Sequence, residues 1–221
     1  MKKIQIEKRY HDALNNLICN LKDSGFLTDK KVESAFWNIP RHEFVPTSEK
    51  KFAYFNEPLP IKNNQTISQP AVVSRMTEWL DVHNGQKILE IGTGSGWQTA
   101  ILSYLVGAGS VYSIDIHPEL INFARKNLEK LGIDNAHIIL GDGSLGYSQE
   151  SPYDRIIITA ACTEIPLPLF EQLSDDGLLI APVGDSSQSL VLLKKTSKGI
   201  IEIKNQSNYV FVPLLGEFGK K

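Results

Sequence analysis

Apolar residues near the amino terminus repeat at three- and four-residue steps, which is the spacing of one face of an α-helix. Two such faces follow one another: Ser24-Gly25 interrupts the first, and Pro40 ends the second. Their members are Tyr10, Leu14, Leu17 and Leu21 in the first face, and Val32, Ala35, Phe36 and Ile39 in the second. The pattern therefore predicts two amino-terminal helices, each with one buried side.

From residue 70 onward, short apolar runs alternate with segments of helical spacing. The uninterrupted apolar run in 155–159 is typical of a strand that is buried on both faces. The predicted strands are 87–91, 111–114, 136–140, 155–159, 178–181, 190–193 and 209–212, and the predicted helices begin at Pro70, after Trp97, at Pro118 and at Leu167. Strands that alternate with helices imply an α/β fold with a doubly wound, mostly parallel, Rossmann-like sheet, here with an amino-terminal helical extension.

Residues 40–69 have a different character, with four prolines and the polar run 62–65. We expect irregular backbone with short extended pieces. A segment of this length without regular structure is usually functional or disordered, and its aromatic residues argue against disorder. The expected organisation is an extension with an active-site segment in 1–69 and the main domain in 70–221, packed as one compact unit.

Composition and charge exclude several classes of protein. The formal net charge is −2 and the pI is about 6.2, whereas a nucleic-acid-binding protein normally carries a basic excess. The first ten residues lack the apolar stretch of a signal peptide, and no apolar run reaches the ~20 residues of a membrane span. Cys19, Cys162 and the scattered histidines show no metal-ligand spacing. We expect a cytoplasmic monomer without a metal, a nucleic-acid partner or a membrane partner.

A glycine-rich stretch follows the predicted strand 87–91. Its pattern is G-x-G-x-G, whereas dinucleotide-binding proteins carry G-x-G-x-x-G. Glu90 precedes the stretch, and its charge would repel a pyrophosphate but favour a positively charged ligand. S-adenosylmethionine carries an ammonium and a sulfonium group and no phosphate. The predicted segment for binding this cofactor is Glu90 with Gly92, Thr93, Gly94, Ser95 and Gly96.

Two further acidic residues end the next predicted strands. Asp115 can accept hydrogen bonds from both ribose hydroxyls, and Asp142, followed by Gly143, can accept one from an adenine amino group. Each acid also has a purely structural interpretation. Glu90 would cap the loop, Asp115 would cap the helix that begins at Pro118, and Asp142 would be a turn residue. All three lie where open α/β sheets bind ligands, which favours the cofactor interpretation.

Segments throughout the chain resemble the protein-L-isoaspartate (D-aspartate) O-methyltransferase family, in family order. They are 39–46 (IPRHEFVP), 53–54 (AY), 58–61 (PLPI), 65–70 (QTISQP), 89–96, 141–143 (GDG), 153–161, 182–184 and 211–214 (FVPL). The resemblance implies methyl transfer from S-adenosylmethionine to the α-carboxylate of L-isoaspartyl and D-aspartyl residues in damaged proteins. S-adenosylhomocysteine would be the product, and the methyl ester would be repaired through a succinimide.

The same resemblance implies site residues. Ser68 would be the active-site residue, and the segment 211–214 would help to hold the substrate peptide. The implied substrate-binding set is Thr66, Ile67, Ala160, Val212 and Pro213. Two positions depart from the family: Trp97 stands where the family usually has Tyr, and Asp115 stands where it often has Glu. Both keep the chemical character of the usual residue.

The implied chemistry needs no strong general base, because a carboxylate acceptor with a pKa of ~3.5 to 4 is already ionised at neutral pH. Ser68 would then orient the acceptor rather than act as a nucleophile. Without the resemblance, Ser68 would be interpreted as the N-cap of the helix that begins at Pro70. Arg41 and His42 are interpreted as a pair that anchors the loop, with a direct clamp on substrate by Arg41 as the alternative.

Other functions compete with this one. An enzyme of the same fold that esterifies a particular aspartate of a dedicated peptide would share the core. An amino-directed nucleic-acid methyltransferase usually carries Asn/Asp-Pro-Pro-Tyr where this chain has the residues TAAC at 159–162, which disfavours it. A non-catalytic module that binds S-adenosylmethionine is disfavoured because Ser68 accompanies all three acids.

Overall fold

A computed structural model describes residues 7–220 of the chain. Two helices open it, α1 (Lys8–Asp23) and α2 (Lys30–Asn38). The carboxylate of Asp29 accepts hydrogen bonds from the backbone N–H groups of Lys31 and Val32, so it caps α2. Both predicted amino-terminal helices are present, and the core of each predicted apolar face is buried.

Residues 40–69 form short irregular pieces, which confirms the prediction for this segment. Two 3₁₀ turns, Arg41–Glu43 and Thr47–Phe52, precede a two-stranded antiparallel hairpin of β1 (Leu59–Pro60) and β2 (Thr66–Ile67). The hairpin brings the chain to Ser68, directly before the next helix.

The central sheet has the strand order β5-β4-β3-β6-β7-β8-β9. Its strands are β3 (Lys87–Ile91), β4 (Ser110–Asp115), β5 (Ala136–Leu140), β6 (Tyr153–Ile158), β7 (Leu173–Gly184), β8 (Gln188–Thr196) and β9 (Gly199–Tyr209). The pairings from β5 through β7 are parallel, and β8 and β9 continue the sheet as antiparallel strands. The predicted mostly parallel sheet is therefore confirmed.

Helices cover both faces of this sheet. They are α3 (Pro70–Leu80), α4 (Trp97–Val106), α5 (Pro118–Leu131) and α6 (Leu167–Glu171). Met76 of α3 and Leu102 of α4 share one apolar cluster with Ile88 of β3, whereas Leu169 of α6 lies in another cluster with Leu89 of the same strand. Because successive strand residues point to opposite faces, α6 packs against the face opposite α3 and α4.

The last strand differs from the prediction. A strand at 209–212 was expected, but β9 ends at Tyr209, and residues 212–214 lie extended beside Ala161 instead. The run 199–208 was missed because all of its residues are exposed and six of the ten have polar side chains. Backbone pairing with β8 holds this edge strand, and such pairing leaves no apolar pattern in a sequence.

The sheet order creates a crevice beside β3. The chain leaves β3 for β4 and β5 on one side and returns to β6 on the other, and ligands of open α/β sheets bind at this switch point. Helices α1 and α2 pack in one apolar cluster with α4 and the end of α5. The predicted boundary at residue 69 stays a prediction. No helix within residues 7–220 is both long enough and apolar enough to cross a membrane.

Candidate active site

A cavity opens at the carboxyl ends of β3, β4 and β6, at the switch point of the sheet. Its empty volume, counted out to the open mouth, is about 900 Å³. The lining comes mainly from the stretches 65–68, 91–95, 114–117, 159–160 and 212–215, with Gly143 and residues of α3 and α4. Within residues 7–220, Asp115 is the carboxylate among the lining residues, and no lysine or arginine lines the cavity.

The loop between β3 and α4 requires glycine at its first position. Gly92 has φ +96°, which L side chains rarely adopt, and a Cβ there would overlap the hydroxyl of Thr159. That hydroxyl donates to the carbonyl oxygens of Ile91 (2.9 Å) and Gly92 (2.8 Å), so the end of β6 supports the start of the loop. The residues Gly92, Thr93, Gly94 and Ser95 line the cavity, whereas Gly96, the N-cap residue of α4, does not.

Asp115 ends β4 inside the cavity, and it is 8% exposed. Its Oδ2 accepts a hydrogen bond from the backbone N–H of Gly94 (2.9 Å), and its Oδ1 accepts one from the N–H of His117 (3.0 Å). The alternative interpretation as a helix cap is wrong, because the N-cap residue of α5 is His117 and carries no side-chain cap. The Nδ1 atom of His117 lies 3.2 Å from the same Oδ1, so about one of the four acceptor positions of the Asp115 carboxylate, on Oδ2, remains for a hydroxyl ligand.

Glu90 does not lie where the sequence placed it. Its side chain is completely buried and does not line the cavity. Successive strand residues point to opposite faces, so Ile91 faces the cavity and Glu90 points away from it, toward α4. There the Glu90 carboxylate accepts a hydrogen bond from the hydroxyl of Thr99. Burial raises the pKa of Glu90 to about 8. A mostly neutral acid beneath the loop replaces the predicted acidic rim.

Asp142 is a turn residue, as its alternative interpretation held. Its Oδ1 accepts hydrogen bonds from the N–H (2.9 Å) and the hydroxyl (2.7 Å) of Ser144, and its Oδ2 accepts one from the N–H of Glu217 (2.7 Å). Gly143 lines the cavity, but the Asp142 side chain does not. The short 3₁₀ turn at Gly143–Leu145 turns the Asp142 carboxylate toward its own loop, which a strand-end position in the sequence could not reveal.

Arg41 braces the backbone on the side of the cavity that contains Ser68, and it is 1% exposed. Its guanidinium donates hydrogen bonds to the carbonyl oxygens of Ala53 (2.8 Å), Glu57 (2.9 Å) and Ser68 (2.9 Å). Burial lowers its pKa to about 9, so it stays cationic at neutral pH. His42 is also buried and pairs with the hydroxyl of Tyr54 (2.7 Å). The interpretation of this pair as a loop anchor is confirmed, and Arg41 does not line the cavity.

Ser68 lines the cavity and is half-buried. Its interpretation as the N-cap of α3 is wrong, because the N-cap residue is Gln69. The N–H of Ala71 in the first turn is instead satisfied from a distance by the side-chain oxygen of Asn56 (3.0 Å). The carbonyl of Asn56 in turn accepts a hydrogen bond from the Gln69 side chain (2.8 Å). The Ser68 hydroxyl therefore does not carry the capping role.

The segment 212–214 forms a further part of the cavity wall. The N–H of Ala161 donates to the carbonyl of Val212 (2.7 Å), and the N–H of Leu214 donates to the carbonyl of Ala161 (2.7 Å). The predicted substrate-binding residues therefore meet in one cavity: Thr66, Ile67, Ala160, Val212 and Pro213 all line it together with Ser68.

Several lining residues were missed by sequence reasoning. Thr159 ends the predicted strand 155–159, and His117 lies three residues after the predicted strand 111–114. A position at or just after a strand end was the signal that could have found them. Gln65 begins the segment 65–70 that the resemblance marked, and Leu215 directly follows the segment 211–214. Within residues 7–220, no group of three or more His, Cys, Asp or Glu side chains is arranged to hold a metal ion.

Comparison with known sequences agrees with this geometry. The family model described as protein-L-isoaspartate(D-aspartate) O-methyltransferase matches residues 12–219. The chain is 47% identical over 215 residues to the protein-L-isoaspartate O-methyltransferase of Pyrococcus horikoshii, with 96% of this chain and 97% of that protein covered. It is 49% identical over 193 residues to protein-L-isoaspartate O-methyltransferase 2 of Archaeoglobus fulgidus, with 87% and 88% covered.

Solved structures show the same fold. A protein-L-isoaspartate O-methyltransferase superposes with a TM-score of 0.85 at 30% identity, covering 93% of this chain and 67% of that chain. A putative protein-L-isoaspartate O-methyltransferase from Plasmodium falciparum, solved in complex with S-adenosyl-L-homocysteine, superposes with a TM-score of 0.80 at 24% identity. It covers 90% of this chain and 97% of that chain.

Proposed function

Because the chain belongs to the protein-L-isoaspartate (D-aspartate) O-methyltransferase family, we propose that it methylates the free α-carboxylate of L-isoaspartyl and D-aspartyl residues in damaged proteins. It is an S-adenosylmethionine-dependent protein carboxyl methyltransferase. The observation that carries the proposal is the family match over residues 12–219, with nearly complete coverage of a relative at 47% identity. The methyl ester then closes to a succinimide, which begins the repair.

The cofactor end of the cavity consists of Gly92–Ser95, Asp115 and Gly143. S-adenosylmethionine supplies the methyl group on a sulfonium, and S-adenosylhomocysteine is the product. A single carboxylate, in a lining without lysine or arginine, suits a cationic ligand without phosphate, which supports this choice of ligand. Asp115 keeps acceptor capacity for ribose, and Gly143 lets the adenine ring lie against backbone.

The acceptor end of the cavity consists of Thr66–Ser68, Ala160 and Val212–Pro213. The α-carboxylate of the substrate, with an ordinary pKa of ~3.5 to 4, is already ionised, so no residue has to remove a proton. The Ser68 hydroxyl donates a hydrogen bond that orients the acceptor, and Ile67, Ala160 and Val212 exclude water around it. Extended peptide backbone fits beside the extended segment 212–213.

Two alternatives lose support. Enzymes that esterify one aspartate of a dedicated peptide would share the core, but the relatives with almost full coverage are named for isoaspartate. A non-catalytic module would need no arginine-braced loop around Ser68. We propose further that the enzyme acts in the cytoplasm as a monomer on isoaspartyl-containing proteins and peptides. Light scattering of the purified chain tests the monomeric state.

The test uses a pair of synthetic peptides that differ only in one residue, L-isoaspartate or L-aspartate. With radiolabelled cofactor, we expect methyl incorporation into the isoaspartyl peptide and none into its aspartyl twin. Equal labelling of the two peptides, or labelling of neither, would contradict the proposal.

Ser68→Ala provides the matched variant, with Ser34→Ala on α2 as control. Ser34 bonds to Tyr104 outside the cavity. We expect Ser68→Ala to lower kcat about tenfold while the Kd of S-adenosylhomocysteine stays unchanged, because one hydrogen bond to the charged acceptor is lost. Equal kinetics in the two variants would remove Ser68 from the active site.

A further inference from the structure

The carboxyl-terminal turn, residues 214–220, is built into the wall of the cavity. Leu214 and Leu215 line the cavity directly. The N–H of Leu214 donates to the carbonyl of Ala161 (2.7 Å), and the N–H of Lys220 donates back to the carbonyl of Leu214 (2.8 Å), which closes the turn. The turn is therefore continuous with the acceptor end at Val212–Pro213.

The opposite side of this turn is attached to the cofactor end. The N–H of Glu217 donates to Oδ2 of Asp142 (2.7 Å), and the N–H of Phe218 donates to the hydroxyl of Ser144 (3.1 Å). These two acceptors flank Gly143, which lines the cavity. The Ser144 hydroxyl donates in turn to Oδ1 of Asp142 (2.7 Å), so one carboxylate organises both partners.

The acceptor capacity of Asp142 is largely used by these contacts. A carboxylate offers about four acceptor positions, two on each oxygen. Both positions on Oδ1 are taken by Ser144, and one on Oδ2 is taken by Glu217. At most one position remains for a ligand, and the Asp142 side chain does not line the cavity.

The close approach depends on a glycine. Gly216 has φ +130°, and a Cβ there would overlap the carboxylate of Asp142. Any larger residue at this position must push the turn away from the loop that contains Gly143.

We propose that Asp142 is a positioning residue that anchors the carboxyl-terminal turn, and that this turn couples the cofactor end of the cavity to the acceptor end. The proposal rests on the proposed function for the meaning of the two ends. Displacing the turn releases the loop that contains Gly143 at the cofactor end, and it moves Leu214 and Leu215, which continue from Val212–Pro213 at the acceptor end. Affinity for cofactor and affinity for peptide therefore change together.

The test is Gly216→Ala, a residue that touches neither ligand site itself. Calorimetry gives the Kd of S-adenosylhomocysteine in the absence of peptide, and initial rates with the isoaspartyl peptide give its KM and kcat. We expect both the Kd and the peptide KM to rise about tenfold, as for the loss of one charge-assisted hydrogen bond, with kcat changing less. Gly199→Ala is the matched control, because it also has a positive φ (+117°) but nothing within 4 Å of its Cβ position.

A second variant covers the case that Gly216→Ala does not fold. Ser144→Ala removes the acceptor for Phe218 and one donor to Asp142, but it keeps the contact between Glu217 and Asp142, so it should move the same two constants in the same direction by a smaller factor. A rise in only one constant, or in neither, overturns the coupling. So does a loss of kcat alone with a lowered melting temperature, which is what a purely structural role would give.

Asp142→Asn separates the anchor from a direct adenine contact. In a double-mutant cycle with Gly216→Ala, an anchor predicts strongly non-additive effects on both constants, because each variant breaks the same contact. Additive effects, or a change of cofactor Kd alone in Asp142→Asn, overturn the proposal. Failure of the wild type to label the isoaspartyl peptide counts against the proposed function, whereas the calorimetric Kd values still test the anchor.

Discussion

The cofactor end of the cavity is built from the ends of neighbouring strands, whereas the acceptor end is assembled from segments that lie far apart in the chain. Gly92–Ser95 follow β3, and Asp115 is the last residue of β4. These two strands pair directly in the sheet. Ser68 and Val212 line the cavity from segments that belong to no strand of the central sheet. The backbone of one is held by Arg41, and that of the other by Ala161. The sheet therefore sets the geometry of the cofactor end, whereas the geometry of the acceptor end depends on a few buried hydrogen bonds.

The buried side chain of Glu90, which lies beneath the cofactor end, gives the largest expected effect, a change in stability with pH. Burial raises the pKa of Glu90 to about 8 from an ordinary value of 4.5. Between these pH values the folded state keeps a proton that the unfolded chain has released, so the stability from this group is present below pH 4.5 and is lost as the pH rises through 8. We therefore expect the free energy of unfolding of Glu90→Gln, relative to wild type, to increase by on the order of 4 kcal/mol as the pH rises from 4.5 to 8.

Urea unfolding of wild type and Glu90→Gln at the two pH values measures this difference. Glu33→Gln is the control, because Glu33 is a partly exposed partner of Lys22 on the surface. A stability difference between Glu90→Gln and wild type that does not vary with pH would mean that Glu90 is ionised in the folded protein, as a direct cofactor contact would require.

Asp115→Ala changes the cofactor end directly. The variant loses the acceptor for Gly94 and the acceptor positions proposed for ribose, so we expect the Kd of S-adenosylhomocysteine to rise about 100-fold, equivalent to ~2.7 kcal/mol. The peptide KM at saturating cofactor should stay within about threefold. Asp29→Ala, which removes the cap of α2 away from the cavity, should leave the Kd unchanged. An unchanged calorimetric affinity of Asp115→Ala would remove the ribose assignment.

Arg41→Lys attacks the acceptor end alone. A lysine cannot bridge the carbonyls of Ala53, Glu57 and Ser68 at once, so kcat/KM for the isoaspartyl peptide should fall about 30-fold, equivalent to ~2 kcal/mol. The cofactor Kd should change little. Arg155→Lys is the matched control, because Arg155 also donates to backbone carbonyls, but those carbonyls belong to Leu80 and Asp81, which do not line the cavity. A parallel loss of cofactor affinity in Arg41→Lys would show that the two ends do not differ as described.

Local sequence patterns predicted the helices and strands well wherever one side of the element is buried, because burial gives the apolar residues a regular spacing. Helices α1 to α5 and strands β3 to β8 follow from apolar spacing, with boundaries that moved by a few residues. Strand β9 did not, because an exposed edge strand is held by backbone pairing and shows no apolar period. The interpretation of Arg41 and His42 as an anchor was confirmed, because their place in a proline-bounded loop favoured carbonyl or carboxylate partners.

The sequence by itself determined the parallel sheet, the glycine loop and the membership of the family, because each leaves a pattern in residues that are close along the chain. Only the tertiary structure decided what the acids do. Asp115 points into the cavity, Glu90 is buried under α4, and Asp142 anchors a turn from the other end of the chain. The physical reason is that a strand end specifies where a side chain starts. Strand alternation, burial and the nearest N–H donors specify where its oxygens go.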